Sequence, residues 1–418
     1  MTAILSSVRA AGRSAARTRS AEPRRAAMQG AAALAAGMGV GRFAYTPILP
    51  LMHAQAGLSV QLGSSLATAN YIGYLVGALA GIAVPAIVRS RAVLRASLVV
   101  LTATLALMPA THDGALWFAL RLVAGIASAL VFVIAVSALL TALRGHGQHL
   151  IGWAFGGVGA GIALSGALVL LLRDTGTWQQ AWWFVAALCL ALTVPAWRLR
   201  TDIGQAGTGS APPETLQAED RPSHRWFAAL LASYSLEGVG YIIAGTFLVA
   251  AIDQTAPGWV GTSAWILVGL AALPSSALWA WLSRTWSRPT LLTCALAVQA
   301  VGIALPALLG GIGAALISAI LFGATFLGIG TIVLAAGAHL RTPRAVAILT
   351  TGYSAGQIAG PLIVTPMLHH GYHQALLIAA AVVIAAAAAA GLLRRRFPHH
   401  LGPLPSRVRA TTGTIGEL

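Results

Sequence analysis

Apolar residues in this chain run in long blocks separated by short polar connectors, with neither the alternation of a strand nor the single stripe of a surface helix. Each block spans about 18–28 residues, enough for a helix to cross a ~30 Å hydrocarbon core. The pattern predicts twelve helices: 30–52, 62–87, 93–110, 115–143, 149–172, 180–197, 226–252, 260–283, 290–309, 311–338, 346–368 and 374–393. Between the sixth and seventh lies the long polar segment 199–225. Its Thr208-Gly209-Ser210-Ala211-Pro212-Pro213-Glu214 stretch has the composition of a flexible linker. The expected fold is therefore an all-α polytopic membrane protein of two six-helix bundles, 28–198 and 226–396, with tails at 1–27 and 397–418.

Composition agrees, since 57% of the 418 residues are hydrophobic and 9% charged, against about 25% charged in soluble domains. A net charge of +16 first brings nucleic acid to mind, but the arginines gather in connectors and tails without a soluble basic, aromatic-laced module, so no nucleic-acid partner is expected. Their placement gives the orientation instead. With the amino end inside, inner connectors hold Arg89, Arg91, Arg95, Arg144, Arg198, Arg200, Arg221, Arg225, Arg284, Arg288, Arg341 and Arg344, and the outer ones hold Arg173. Both termini then lie in the cytoplasm and the lipid partner is a bacterial inner membrane. The Arg-rich residues 1–27 read as a cytoplasmic tail, or as sequence upstream of a start at Met28. Trp178, Trp182, Trp183, Trp226 and Trp286 fall near span ends and are expected to anchor in the headgroup zone. Cys189 and Cys294 lie inside spans and read as apolar packing residues.

One short pattern occurs in both halves. Gly39-Val40-Gly41 precedes Arg42 in the first span, and Gly238-Val239-Gly240 follows Glu237 in the seventh. A charge at mid-membrane costs roughly 2.5–3.5 kcal/mol on insertion scales, so such residues mark function, and repeated halves with polar groups at mid-depth characterise secondary transporters. Arg42, with Tyr45 three residues on, is a candidate to hold an anionic solute or pair with a coupling carboxylate. Pro47, Pro50 and the glycines predict a bend. Glu237, on a stripe with Tyr234 and Tyr241, is the acidic residue placed inside a span and the candidate for proton coupling. Arg121 heads a stripe of small residues, Gly125 and Ser128, in the fourth span. Asn70 with Tyr74, and Tyr353 with Gln357 before Pro361, complete the candidate set and serve equally as interhelical hydrogen-bonding groups.

The segments Gly37 to Pro50 and Leu236 to Ile243 resemble the first and seventh helices of the major facilitator superfamily in its YbfB/YjiJ-like branch, and the Arg121 segment is similar to the fourth-helix motif of its proton-coupled members. The resemblance covers residues 28 to about 396. It implies twelve helices in two pseudo-symmetric bundles, a central site and alternating access. The loop signature between second and third helices is reduced to Gly81-Ile82-Ala83-Val84-Pro85 with Arg89 and Arg91. The fifth helix has Gly156, Gly157, Gly159, Gly161 and Gly166 without the antiporter proline.

His369-His370-Gly371-Tyr372-His373 has no carboxylate or cysteine beside it, and no metal or other cofactor is expected. The loops hold no paired carboxylates and no Ser-His-Asp set, so an enzyme is not expected either. The sequence thus points to a secondary transporter, its partners a small solute and protons, acting as a monomer. Two buried arginines against one glutamate favour an anionic solute. A multidrug or organic-cation antiporter is the alternative, and a polytopic membrane enzyme is the remote one.

Overall fold

The computed structural model describes residues 22–143, 148–201, 221–340, 342, 344–394 and 397, and these are helical with short connectors and no strand among them. In chain order the helices are α1 (22–34), α2 (Tyr45–Ala56), α3 (Val60–Ala83), α4 (Pro85–Val88), α5 (Arg91–Leu107), α6 (Gly114–Ala142), α7 (Gln148–Leu172) and α8 (Trp178–Ala196). The second half holds α9 (Arg221–Asp253), α10 (Trp259–Leu282), α11 (Arg288–Leu308), α12 (Gly311–His339), α13 (Ala345–Val364) and α14 (Tyr372–Leu393).

Among the described residues ten helices are long and apolar enough to cross a membrane. They coincide with ten of the twelve expected spans. The other two are also helical, and both depart from a plain apolar helix for a physical reason. The first is α1 joined to α2 through a π-helical turn at Ala35–Val40 and a non-helical turn at residues 41–44. The eleventh, α13, carries Thr350, Thr351, Tyr353, Ser354 and Gln357, which dilute its hydropathy. The amino tail and the far end of the linker are shorter than expected: α1 begins by residue 22 despite its charges, and α9 already by Arg221. The core of the linker, the amino tail before residue 22 and most of the carboxyl tail lie outside the described residues.

The halves repeat one neighbour map. In the first, α3 packs on α6, α5 on α6 and α8, and the π turn on α7 and α8. In the second, α10 packs on α12, α11 on α12 and α14, and α9 on α13 and α14. Substituting helix for helix converts one set into the other, so the two bundles are pseudo-symmetric. They meet along three seams, α7 with α10, α3 with α13, and α2 with α9.

Small residues set how closely these seams approach. On one face of α7, Gly161 meets the backbone of Ala35 and Gly39 in the π turn; on another, Gly159 meets the Gly269 carbonyl of α10. Such small-residue contacts replace the hydrophobic drive that lipid does not supply. A Cβ on Gly159 would fall against backbone of both Gly269 and Leu273, which has no rotamer with which to yield. Over-packing of this kind costs about 1–3 kcal/mol. Gly159→Val is therefore expected to lower the melting midpoint and cut transport roughly tenfold or more while the protein still inserts; wild-type values of both would show a looser seam.

Several sequence expectations change here. Trp178 and Trp182 are buried and Trp226 is 8% exposed, so these three are not interfacial anchors; Trp183 and Trp286 are exposed as expected. The reason is helical period: Trp178, Trp182, Val185, Ala186 and Cys189 form the inward face of α8, and Trp178 packs edge-on against Trp117 and His112. Cys189 packs inside as anticipated, whereas Cys294 sits on the exposed face of α11. Of the histidine loop, the side chains of His369 and His370 lie outside the described residues. Tyr372 contacts His53 of α2 through its hydroxyl at 3.1 Å.

Candidate functional site

The site begins with the π turn. Its i→i+5 pairing, Gly41 N–H to Ala36 C=O at 2.9 Å, widens the backbone, a distortion that concentrates at functional positions. Gly37, Gly39 and Gly41 let this widened segment lie against α6, α7 and α5. Arg42 follows at once and is carried into the interface between the bundles, 3% exposed. Its guanidinium lies over Tyr74 at 4.3 Å, Tyr71 at 5.0 Å and Phe43 at 5.5 Å from the ring centroids. Across the interface its Nη2 donates to Gln357 Oε1 of α13 at 2.6 Å. Its Nε has no acceptor.

Arg121 of α6 is the second buried guanidinium, with 2% exposure. It lies 4.8 Å from the Tyr45 ring centroid, and Nη2 donates to the Arg42 carbonyl at 3.4 Å. Nε and Nη1 have no partner. Gly125, one turn on, admits the backbone of Asn70 and Tyr74, and Ser128 donates to the Gly37 carbonyl at 2.7 Å. The small-residue stripe read from sequence thus locks α6 to α3 and to the π turn, and so fixes the two cations side by side. Tyr45 belongs to Arg121 rather than to Arg42: its hydroxyl donates to the Gly63 carbonyl at 2.8 Å and its ring rests on Trp182.

Glu237 neighbours a series of stacked rings. Tyr234, Tyr353, Tyr241, Phe326 and Phe322 form a nearly parallel series, the closest pair being Tyr234–Tyr353 at 4.3 Å between centroids. Tyr241 and Tyr353 stand within electrostatic reach of both Arg42 and Glu237. Gly238 allows the Tyr353 backbone to press on α9. The Glu237 side chain is 1% exposed and faces the Gln299 side chain of α11. Among the described residues no guanidinium pairs with it.

The sequence-derived candidates are therefore brought together unequally. Arg42, Tyr74, Tyr241, Tyr353 and Gln357 meet at the bundle interface, with Arg121 and Tyr45 adjoining. Asn70 does not face the interface: its Nδ2 donates to the Arg121 carbonyl at 3.1 Å, tying α3 to α6 within one bundle. Glu237 is set back toward α11. Tyr71, Phe43, Phe322, Phe326 and Gln299 also belong to the arrangement and were not singled out by sequence. For Gln299 the signal existed, an amide in the middle of an apolar span; the aromatic residues carry no pattern separating a cavity wall from core. Beyond the cations a row of hydrogen bonds joins the bundles: Thr46 to the Gly245 carbonyl at 2.6 Å, Tyr71 to Thr246 at 2.7 Å and Ser64 to Thr365 at 2.6 Å.

Comparison with known proteins agrees with this architecture. Residues 34–391 match the family described as uncharacterised MFS-type transporter YbfB. No curated protein matches the chain. Among solved structures, a crystal structure of a mutant of the nucleoside transporter NupG superposes with a TM-score of 0.65 at 14% identity, over 88% of this chain and 99% of the other. That likeness is one of fold.

Proposed function

Because the chain belongs to the YbfB-type family of major facilitator superfamily transporters, we propose that it carries a small organic anion across the cytoplasmic membrane by alternating access coupled to protons. It is a multi-pass membrane protein of a transporter family, and the finer reading rests on one observation: two adjacent guanidiniums buried at the bundle interface, with no carboxylate paired to either among the described residues. Burying an ion costs several kcal/mol even after relaxation. A desolvated cation–π contact returns about 2 kcal/mol. Ring faces and the bonds to Gln357 and the Arg42 carbonyl offset this cost in part, and the unpartnered N–H groups of both arginines are the donors a bound anion would use. The ordered aromatic surface beside them suits a solute with a flat apolar part.

With the termini in the cytoplasm, the row of bonds from Thr46, Tyr71 and Ser64 lies in the outer half, so the conformation is one closed to the outside. Opening requires those bonds and Arg42–Gln357 to break while the small-residue seam between α7 and α10 slides. Glu237 is the proton carrier, and Tyr241 and Tyr353, which neighbour both it and Arg42, let solute and proton be sensed through shared side chains. A monoanion moving with one proton carries no net charge, so accumulation follows the pH gradient, about tenfold per pH unit. The unit is a monomer and its partners are the solute, protons and lipid.

A second reading, an organic-cation antiporter, is favoured by the Tyr234–Tyr353 stack beside the Glu237 carboxylate. A thermal-stability screen of the purified protein against organic anions and cations separates the two. The anion reading expects stabilisation by an anion. Stabilisation by cations alone would replace it with the second reading.

A further inference from the structure

A separate cleft of about 600 Å³ opens between α1 and the end of α8, lined by Arg24, Arg25, Met28, Gln29, Val194, Pro195 and Arg198. It lies away from the Arg42 site and is used by nothing in the transport reading. Its walls are of two kinds. Arg24, Arg25 and Arg198 supply three guanidiniums, while Met28 and Val194 are 73% and 63% exposed, apolar side chains facing outward where lipid chains would lie. Neighbouring arginines on the same rim are already engaged. Arg200 pairs with Glu22 at 3.4 Å, and Arg95 donates to the Trp197 carbonyl and stacks on its ring at 4.9 Å. The three that line the cleft have no acidic partner among the described residues. On the orientation that the arginines give, this rim lies at the cytoplasmic headgroup level.

Three free cations above an apolar wall, at the level where phosphates meet acyl chains, fit one kind of occupant. We propose that this cleft holds the headgroup of a single anionic phospholipid of the inner leaflet, its phosphate among Arg24, Arg25 and Arg198 and an acyl chain along Met28 and Val194. Each arginine near an anionic surface contributes about 1 kcal/mol, so the three together give roughly a hundredfold preference over a zwitterionic lipid. The lipid would bridge α1, which leads directly into the π turn, to α8, and so would steady the base of the helix that carries Arg42.

The test uses the full-length protein in neutral detergent, with melting midpoints read on adding phosphatidylglycerol, phosphatidylcholine, glycerol 3-phosphate or inorganic phosphate. The compared variants are Arg24→Gln/Arg25→Gln/Arg198→Gln and, with the same loss of charge elsewhere, Arg284→Gln/Arg288→Gln/Arg394→Gln. The proposal expects phosphatidylglycerol alone to stabilise wild type and the second variant, with roughly a hundredfold more lipid needed for the first. Equal weakening in both variants would reduce the effect to general surface charge and overturn it. So would an unchanged response in the first variant, and a matching shift with inorganic phosphate would make the cleft a phosphate site. Native mass spectrometry of wild type, which needs no variant to fold, should retain one phosphatidylglycerol above the phosphatidylcholine background; no retained anionic lipid contradicts the proposal.

Discussion

Arg42→Gln is expected to reach the membrane in normal amount and to lose transport by at least about a hundredfold. Truncating one side of a buried, hydrogen-bonded charge contact costs about 2–5 kcal/mol, and a loss near 3 kcal/mol is roughly a hundredfold. Insertion survives because removing a buried charge lowers the cost of placing this segment in lipid. Arg42→Lys separates charge from shape. Lysine keeps the cation but lacks the planar fork that stacks on Tyr71 and Tyr74 while donating to Gln357, so it should restore part of the activity with weaker apparent affinity. Uptake by Arg42→Gln at the wild-type rate would remove this residue from the account.

Glu237→Gln is the second large effect, and its signature is in pH rather than in binding. Of the ten acidic residues, Glu237 is the one placed at the middle of a span. The groups that face it are Tyr234, Tyr241, Tyr353 and Gln299, none of which carries charge at neutral pH. Wild-type uptake driven by an inward proton gradient should fall as the outer pH rises. The glutamine variant, fixed in a neutral form of the same shape, should show a flat profile, lose accumulation against a gradient and keep solute exchange. Measured as initial rates between pH 5.5 and 8.5, an undiminished slope would assign coupling to another group.

Much of the architecture can be read from residues because the membrane imposes it. Helix-length apolar blocks, the 199–225 break and the repeated Gly-Val-Gly segment lead to two related bundles before any coordinate is known. The repeat also marks the first and seventh helices, which hold Arg42 and Glu237. What the pattern misses is direction in space. Hydropathy locates Trp178 and Trp182 near a span end but not the face of α8 they occupy, and both turn inward, Trp182 against Tyr45 and Trp178 against Trp117. It sees Asn70 as a polar residue in a span, while the structure gives its donor to the neighbouring helix. The early start of α1 escapes because the stretch Glu22-Pro23-Arg24-Arg25 is too charged for an apolar window, though its residues are helical. The stack from Tyr234 to Phe322 joins α9 to the distant pair α12 and α13, and only packing brings those rings into register.

Binding of the transported anion by the paired guanidiniums at the bundle interface is tested by uptake into proteoliposomes under an imposed inward proton gradient, using the anion that stabilises the purified protein, in wild type and Arg42→Gln side by side. Wild type is expected to accumulate the anion above the outside concentration and to lose it on adding a protonophore, and Arg42→Gln to show no accumulation. Accumulation of that anion by the variant to the wild-type level, or uptake by wild type of organic cations only, would contradict it.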